Sequence, residues 1–223
     1  MGVAVSCPRC GGPVRAPGLM NTDWRCDTDG AVLPLHVAEH IGAQIVETAA
    51  AKARSPRPGA LDVPIWCPWP QLPGWTVTGV GWVGDERSGV RATALACSGP
   101  AVLQGGPADV LFVAEEPGVG LGTRLAGIPG PDPGPFLEGA GRHAPAHAKV
   151  RAAGWPTPLW SVKSASDRCA YVGEAKGLWL YAVAWPAAAG YLLAEDLSLC
   201  DLTEDAPSEL VFGAPSPYLH GRA

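Results

Sequence analysis

Charge is scarce in this 223-residue chain: Asp, Glu, Lys and Arg make up 17% of it, against the usual quarter. Lys occurs four times against twelve Arg, Ile four times and Asn once. That bias, with abundant Ala, Gly and Pro, marks a GC-rich coding sequence and says nothing of activity. The net charge of −5 is spread without runs, and within residues 1–30 Arg9, Arg15 and Arg25 balance Asp23, Asp27 and Asp29. No basic stripe is available to displace phosphate counterions, so nucleic acid is not an expected partner. No stretch approaches 18 consecutive apolar residues, the length a membrane span needs. The opening 1-MGVAVSCPRCGG-12 lacks the basic and apolar regions of a secretory signal. A cytoplasmic location is expected, where thiols stay reduced. The odd count of seven cysteines fits that compartment better than a disulfide framework.

What the chain does have is apolar bulk, 47%, together with 29 Gly and 24 Pro. The first supplies a core, and the other two break helices. The expected fold class is α+β, mostly β. Residues 1–35 read as a small cysteine-bearing module. Residues 36–64 read as a short helix followed by a Pro-rich linker, 54-RSPRPGALDVP-64. Val37, Ile41 and Ile45 set the helical face of 36–53, and three consecutive alanines add propensity. Residues 65–223 read as an antiparallel β-rich domain, a sandwich or half-barrel. Strand patterns are expected at 75–83, 90–97, 109–115, 159–163, 169–174 and 178–185. The last, 177-GLWLYAVAW-185, is apolar on both faces and is expected to lie centrally. Residues 194–202 fit a strand or a short helix equally.

The most specific motif is C-x2-C-x15-C-x2-D, made by Cys7, Cys10, Cys26 and Asp29. Zinc ribbons use C-x2-C-x15–20-C-x2-C. Two ligands two residues apart face one ion only through a tight knuckle, and a following glycine lets that knuckle turn with positive φ. Gly11 follows Cys10 and Gly30 follows Asp29, so CPRCG and CDTDG match position by position. Asp29 therefore stands at a ligand position, and a carboxylate is a competent zinc ligand. His36 is the alternative fourth ligand, with His40 a more distant one. In a third reading no metal binds and Asp29 caps a turn. A closed four-ligand site is structural, and no Glu or His nearby is arranged as a general base.

The segments CPRCGGPVRAPG…WRCDTDG, WCPWP…LPGWTVTGV, AEEPGVGLG and GEAKGLWLYAVAWP resemble an actinobacterial, streptomycete-type protein family. That family joins a CPxCG zinc-ribbon-like module to a Trp-rich β domain. The resemblance implies three cysteines and one histidine at the metal, the histidine falling where this chain has Asp29. It carries no activity with it.

Other residue patterns suggest chemistry more weakly. In 109-DVLFVAEEPGVGLGTRL-125 a strand leads into Gly118, Gly120 and Gly122, hinting at a phosphate-cradling loop. The dinucleotide spacing fails at Thr123, and the prolines after Ile128 would soon end any helix. A plain glycine-rich loop is the simpler reading. Glu115 and Glu116, being adjacent in a strand, are expected on opposite faces. His143 and His147 have helical ligand spacing, but Pro145 lies between them. Cys67, Cys97, Cys169 and Cys200 read as small hydrophobes, with Arg168 placed to activate Cys169. Trp66, Trp69 and Trp75 read as core or domain junction more readily than as a binding ledge. Together these features point to a binding or adaptor protein with a structural zinc ion and an unidentified protein partner. The alternatives are an enzyme using the 115–125 loop on a small acyl- or phosphate-bearing ligand, and a transcription-associated factor.

Overall fold

The fold is given by a computed structural model that describes residues 2–19, 21–54, 62–101, 106–134, 145–194 and 196–220. The chain opens with β1 (Val3–Ser6) and then three two-residue strands, β2 (Val14–Arg15), β3 (Arg25–Cys26) and β4 (Gly30–Ala31), which form their own small sheet. β5 (Leu35–Ala38) and α1 (Ala43–Ala53) follow, then β6 (Trp66–Pro68), β7 (Thr76–Asp85), β8 (Gly89–Pro100) and β9 (Pro107–Glu115). After α2 (Leu121–Ala126) come β10 (Ala148–Ala152), β11 (Trp155–Val162), β12 (Cys169–Ala175) and β13 (Leu178–Trp185). A 3-10 helix (Ala187–Ala194) and β14 (Leu197–Asp201) complete the order.

Eleven of these strands make one sheet, ordered β1-β5-β7-β8-β9-β13-β12-β11-β10-β14-β6. Every neighbouring pair is antiparallel except β10 and β14. The fold is thus α+β and mostly β, as the Gly/Pro content and strand alternation predict. β13 sits in the middle, between β9 and β12. Its Leu178, Leu180, Ala182 and Ala184 enter one core, while Tyr181, Val183 and Trp185 enter another on the opposite face. This two-sided burial is what its unbroken apolar sequence anticipated. The first core is lidded by Val46, Ala49, Ala50 and Ala53 of α1, small side chains that let the helix sit close to the sheet. The sheet curls around this core, and Thr93 on β8 donates its hydroxyl to Pro64, just before β6. Trp66 and Trp75 lie buried in the same core.

The segment 36–53 departs from the expected single helix. Only Ala43–Ala53 is helical, and Leu35–Ala38 is a strand paired with both β1 and β7. Leu35 and Val37, 1% and 3% exposed, alternate into the second core beside Val83. Two flanking strands offer backbone partners on both edges, and that outweighs an i, i+4 apolar spacing. Consequently β1 and β5, on either side of the cysteine unit, are both hydrogen-bonded into the large sheet. Residues 194–202 contain a strand, β14. Most of the expected linker, residues 55–61, lies outside the described residues, as does His143. Among the described residues no helix is long and apolar enough to cross a membrane.

Candidate metal centre

The first knuckle closes through its backbone. The Cys7 N–H donates to Gly12 O at 2.8 Å and the Gly11 N–H to Cys7 O at 2.9 Å. Gly11 has φ 76° and Gly30, at the matching place in the second knuckle, φ 73°. Both lie in the left-handed region that only glycine enters at no steric cost. The two turns face each other and bring Cys7, Cys10, Cys26 and Asp29 together, with their ligand atoms all within 4.8 Å of one another. Asp29 Oδ2 lies 3.2 Å from Cys7 Sγ and 3.6 Å from Cys26 Sγ, and Cys10 Sγ lies 3.4 Å from Cys26 Sγ. Tetrahedral zinc with Zn–S of about 2.3 Å sets its ligand atoms roughly 3.8 Å apart, so the four atoms are close enough to bind a metal ion. His36 stands outside this group. The pleat of β5 turns its ring onto Trp82, stacked at 5.5 Å, and its Nε2 lies 3.1 Å from Gly84 O.

Without an ion the donors do not share one protonation behaviour. Burial pushes the Cys7 thiol up to about 12, and burial together with the Asp29 carboxylate raises Cys10. Cys26 is lowered, chiefly because the Asp29 backbone N–H points at its sulfur. Hydrogen bonds from the thiols, Cys10 first, hold Asp29 below the usual carboxylate range. A cation bound here would strip the remaining thiol protons, so its uptake would release protons.

The glycine-rich loop turns out to be the seat on which the first knuckle rests. Arg9 donates through Nη2 to Gly118 O at 2.6 Å and through Nε to Val119 O at 3.2 Å. In return Arg124 of α2 donates through Nε to Pro8 O at 2.8 Å. Its Nη2 is buried without a partner, and its Nη1 lies against Gly11. Burial lowers the Arg124 pKa, while the neighbouring Cys7 and Cys10 oppose the shift. A methyl group on Gly120 would crowd Arg9, and one on Gly122 would collide with the Tyr181 ring. These glycines therefore serve close packing. The position a phosphate would take is filled from within, in keeping with the plain glycine-rich loop: Glu115 Oε2 accepts the N–H groups of Leu121 at 2.8 Å and Gly122 at 3.1 Å. Glu115 is fully buried, and that burial pushes its pKa up to about 7. Glu116 faces the other way and pairs with Arg91 at 2.6 Å, so the two carboxylates share no substrate.

Of the remaining sequence candidates, Cys67 and Cys200 stand opposite each other across β6 and β14. His147 Nδ1 accepts from the Ser161 N–H at 3.0 Å. Cys169 is raised by burial rather than activated, because Arg168 is engaged with Asp167 and lies over Trp185 at 4.9 Å. Cys67 and Cys97 are buried in the core. No local residue pattern signals the Arg9 and Arg124 contacts, whose partners lie more than a hundred residues away.

The chain belongs to a family of unknown function, DUF6758, whose model matches residues 1–219 and so spans the cysteine unit and the large sheet alike. No curated protein and no solved structure matches it.

Proposed function

We propose that Cys7, Cys10, Cys26 and Asp29 hold one structural zinc ion in a zinc-ribbon-like module, and that the protein is a cytoplasmic binding or adaptor protein acting on a protein partner. The observation that carries the metal reading is the buried, unpartnered Nη2 of Arg124 beside the knuckle. Three thiolates and one carboxylate around a divalent ion leave a net charge of about −2. Arg9 and Arg124 are the cations that flank it, and an anion beside the knuckle compensates the buried charge of Arg124. The thiolate-rich donor set favours zinc over hard cations. Four protein ligands leave no open position for water, so the ion folds the unit rather than catalysing.

The enzyme alternative at 115–125 loses support because its only helix N-terminus is satisfied by Glu115. A transcription-associated role rests on the general association of zinc ribbons with that machinery, and the net charge of −5 adds nothing to it. Metal analysis of protein purified without chelator tests the ion: about one zinc per chain is expected, and less than ~0.3 overturns the reading. Affinity capture from a native lysate tests the partner, with stoichiometric recovery of one protein expected.

A further inference from the structure

The cysteine unit does not lie flush on the large sheet. A cleft of about 440 Å³ separates them, with Trp24, Ala31 and Leu33 on one wall and Val83, Arg91 and Glu116 on the other. That volume falls within the range of ligand sites. Both ends are pinned: Arg9 holds the loop carbonyls of Gly118 and Val119, and Arg87 Nη1 donates to Thr22 O at 2.7 Å.

One wall carries an open strand edge. β4 is the outer strand of the β2-β3-β4 sheet. The Val32 N–H donates to Trp24 O at 3.1 Å, which makes these two residues a hydrogen-bonded pair. By antiparallel alternation the N–H and C=O of Ala31, the neighbouring residue, point away from β3. Among the described residues, neither these groups nor the N–H and C=O of Leu33 meet a protein partner. Donors and acceptors repeating at i and i+2 match the same series on another extended chain. A phosphate or carboxylate would need convergent donors alone, and the guanidinium donors that the structure describes are already turned to Gly118, Val119, Thr22 and Glu116.

We infer that the cleft receives an extended peptide segment of a partner protein, which adds along β4 as a fourth strand of the small sheet. This rests on the reading of the chain as a protein-binding protein and names the form its partner takes. The bound strand gains backbone bonds to Ala31 and Leu33. Its side chains meet Val83 and the Arg91–Glu116 ion pair, whose side chains are 38% and 34% exposed. A half-exposed pair of both signs favours a partner segment carrying both an acidic and a basic residue over one of a single charge.

The test selects binders from a phage-displayed library of linear peptides of ~8 residues, strand length, against the full-length, zinc-loaded protein. The best binder is then resynthesised with an N-methyl group at each position in turn. Strand addition is expected to give alternation: affinity drops at least ~10-fold at every second position and stays within ~2-fold at the others. Amide hydrogen exchange at Ala31 and Leu33 should slow in the complex. Absence of any selected peptide, or even tolerance of N-methylation along its length, overturns the proposal. So does displacement of the peptide by millimolar inorganic phosphate without the alternating pattern. Ala31→Pro is expected to abolish binding, with zinc content reporting whether it has folded; should it not fold, the methylation scan on wild-type protein decides. A native partner captured equally by wild-type and Arg91→Glu protein leaves the protein-binding reading standing and overturns the cleft.

Discussion

Arg9 and Gly118 are 109 residues apart in the chain and joined at 2.6 Å, guanidinium to carbonyl. The contact ties the first cysteine knuckle to the loop before α2, and Arg124 returns the tie through Pro8. The first cysteine knuckle and the packing of α2 on the large sheet are therefore mechanically linked.

Asp29→Ala removes one of the four proposed ligands and should weaken zinc binding by at least ~100-fold, whereas Asp29→Cys should retain or tighten it. Competition with a chromophoric chelator at fixed pH measures both. Equal affinities for wild type and Asp29→Ala would mean that the aspartate is no ligand.

Arg9→Ala loses two charged-donor hydrogen bonds at a half-buried site. Stability at saturating zinc should fall by about 2 kcal/mol, read as a lower urea midpoint with unchanged slope. Arg9→Lys should recover part of it, since an ammonium can reach one carbonyl but not span two.

Glu115 has a folded-state pKa of about 7 against an ordinary value near 4.5. Because the acid is raised on folding, the unfolded chain ionises first as pH rises. Stability is fullest below pH 4.5 with respect to this group and declines between about pH 4.5 and 7, by on the order of 3 kcal/mol. Glu115→Gln, which keeps an acceptor for the Leu121 and Gly122 amides, should flatten that slope. Taking the difference between the two proteins at saturating zinc cancels the opposite pH dependence of metal binding.

Gly122→Ala forces a methyl group into the Tyr181 ring at the centre of the large sheet. A loss of about 2–3 kcal/mol is expected, seen as a lower thermal midpoint. A phosphate-binding glycine at the same position would tolerate the methyl in the free protein and lose only ligand affinity.

Much of the local structure was legible in the residues. The knuckles follow from C-x2-C and C-x2-D with Gly11 and Gly30 behind them, and the donors do converge. The two-sided burial of β13 follows from its unbroken apolar run. His36–Ala38 reads as helix because Val37, Ile41 and Ile45 imitate a helical face, yet these residues belong to the strand Leu35–Ala38. Only the pairing of that segment with β1 and β7 distinguishes the two periods.

By itself the sequence determined which four side chains meet at the knuckles, the mostly-β class and the scarcity of charge, each of which depends on residue type or on spacing over a few positions. Tertiary structure decided that His36 turns to Trp82, that Glu115 fills the α2 amides, and that Arg9 and Arg124 lock the knuckle to a loop a hundred residues away. Those outcomes depend on which strand edges meet, and backbone pairing between distant strands leaves no mark in local composition.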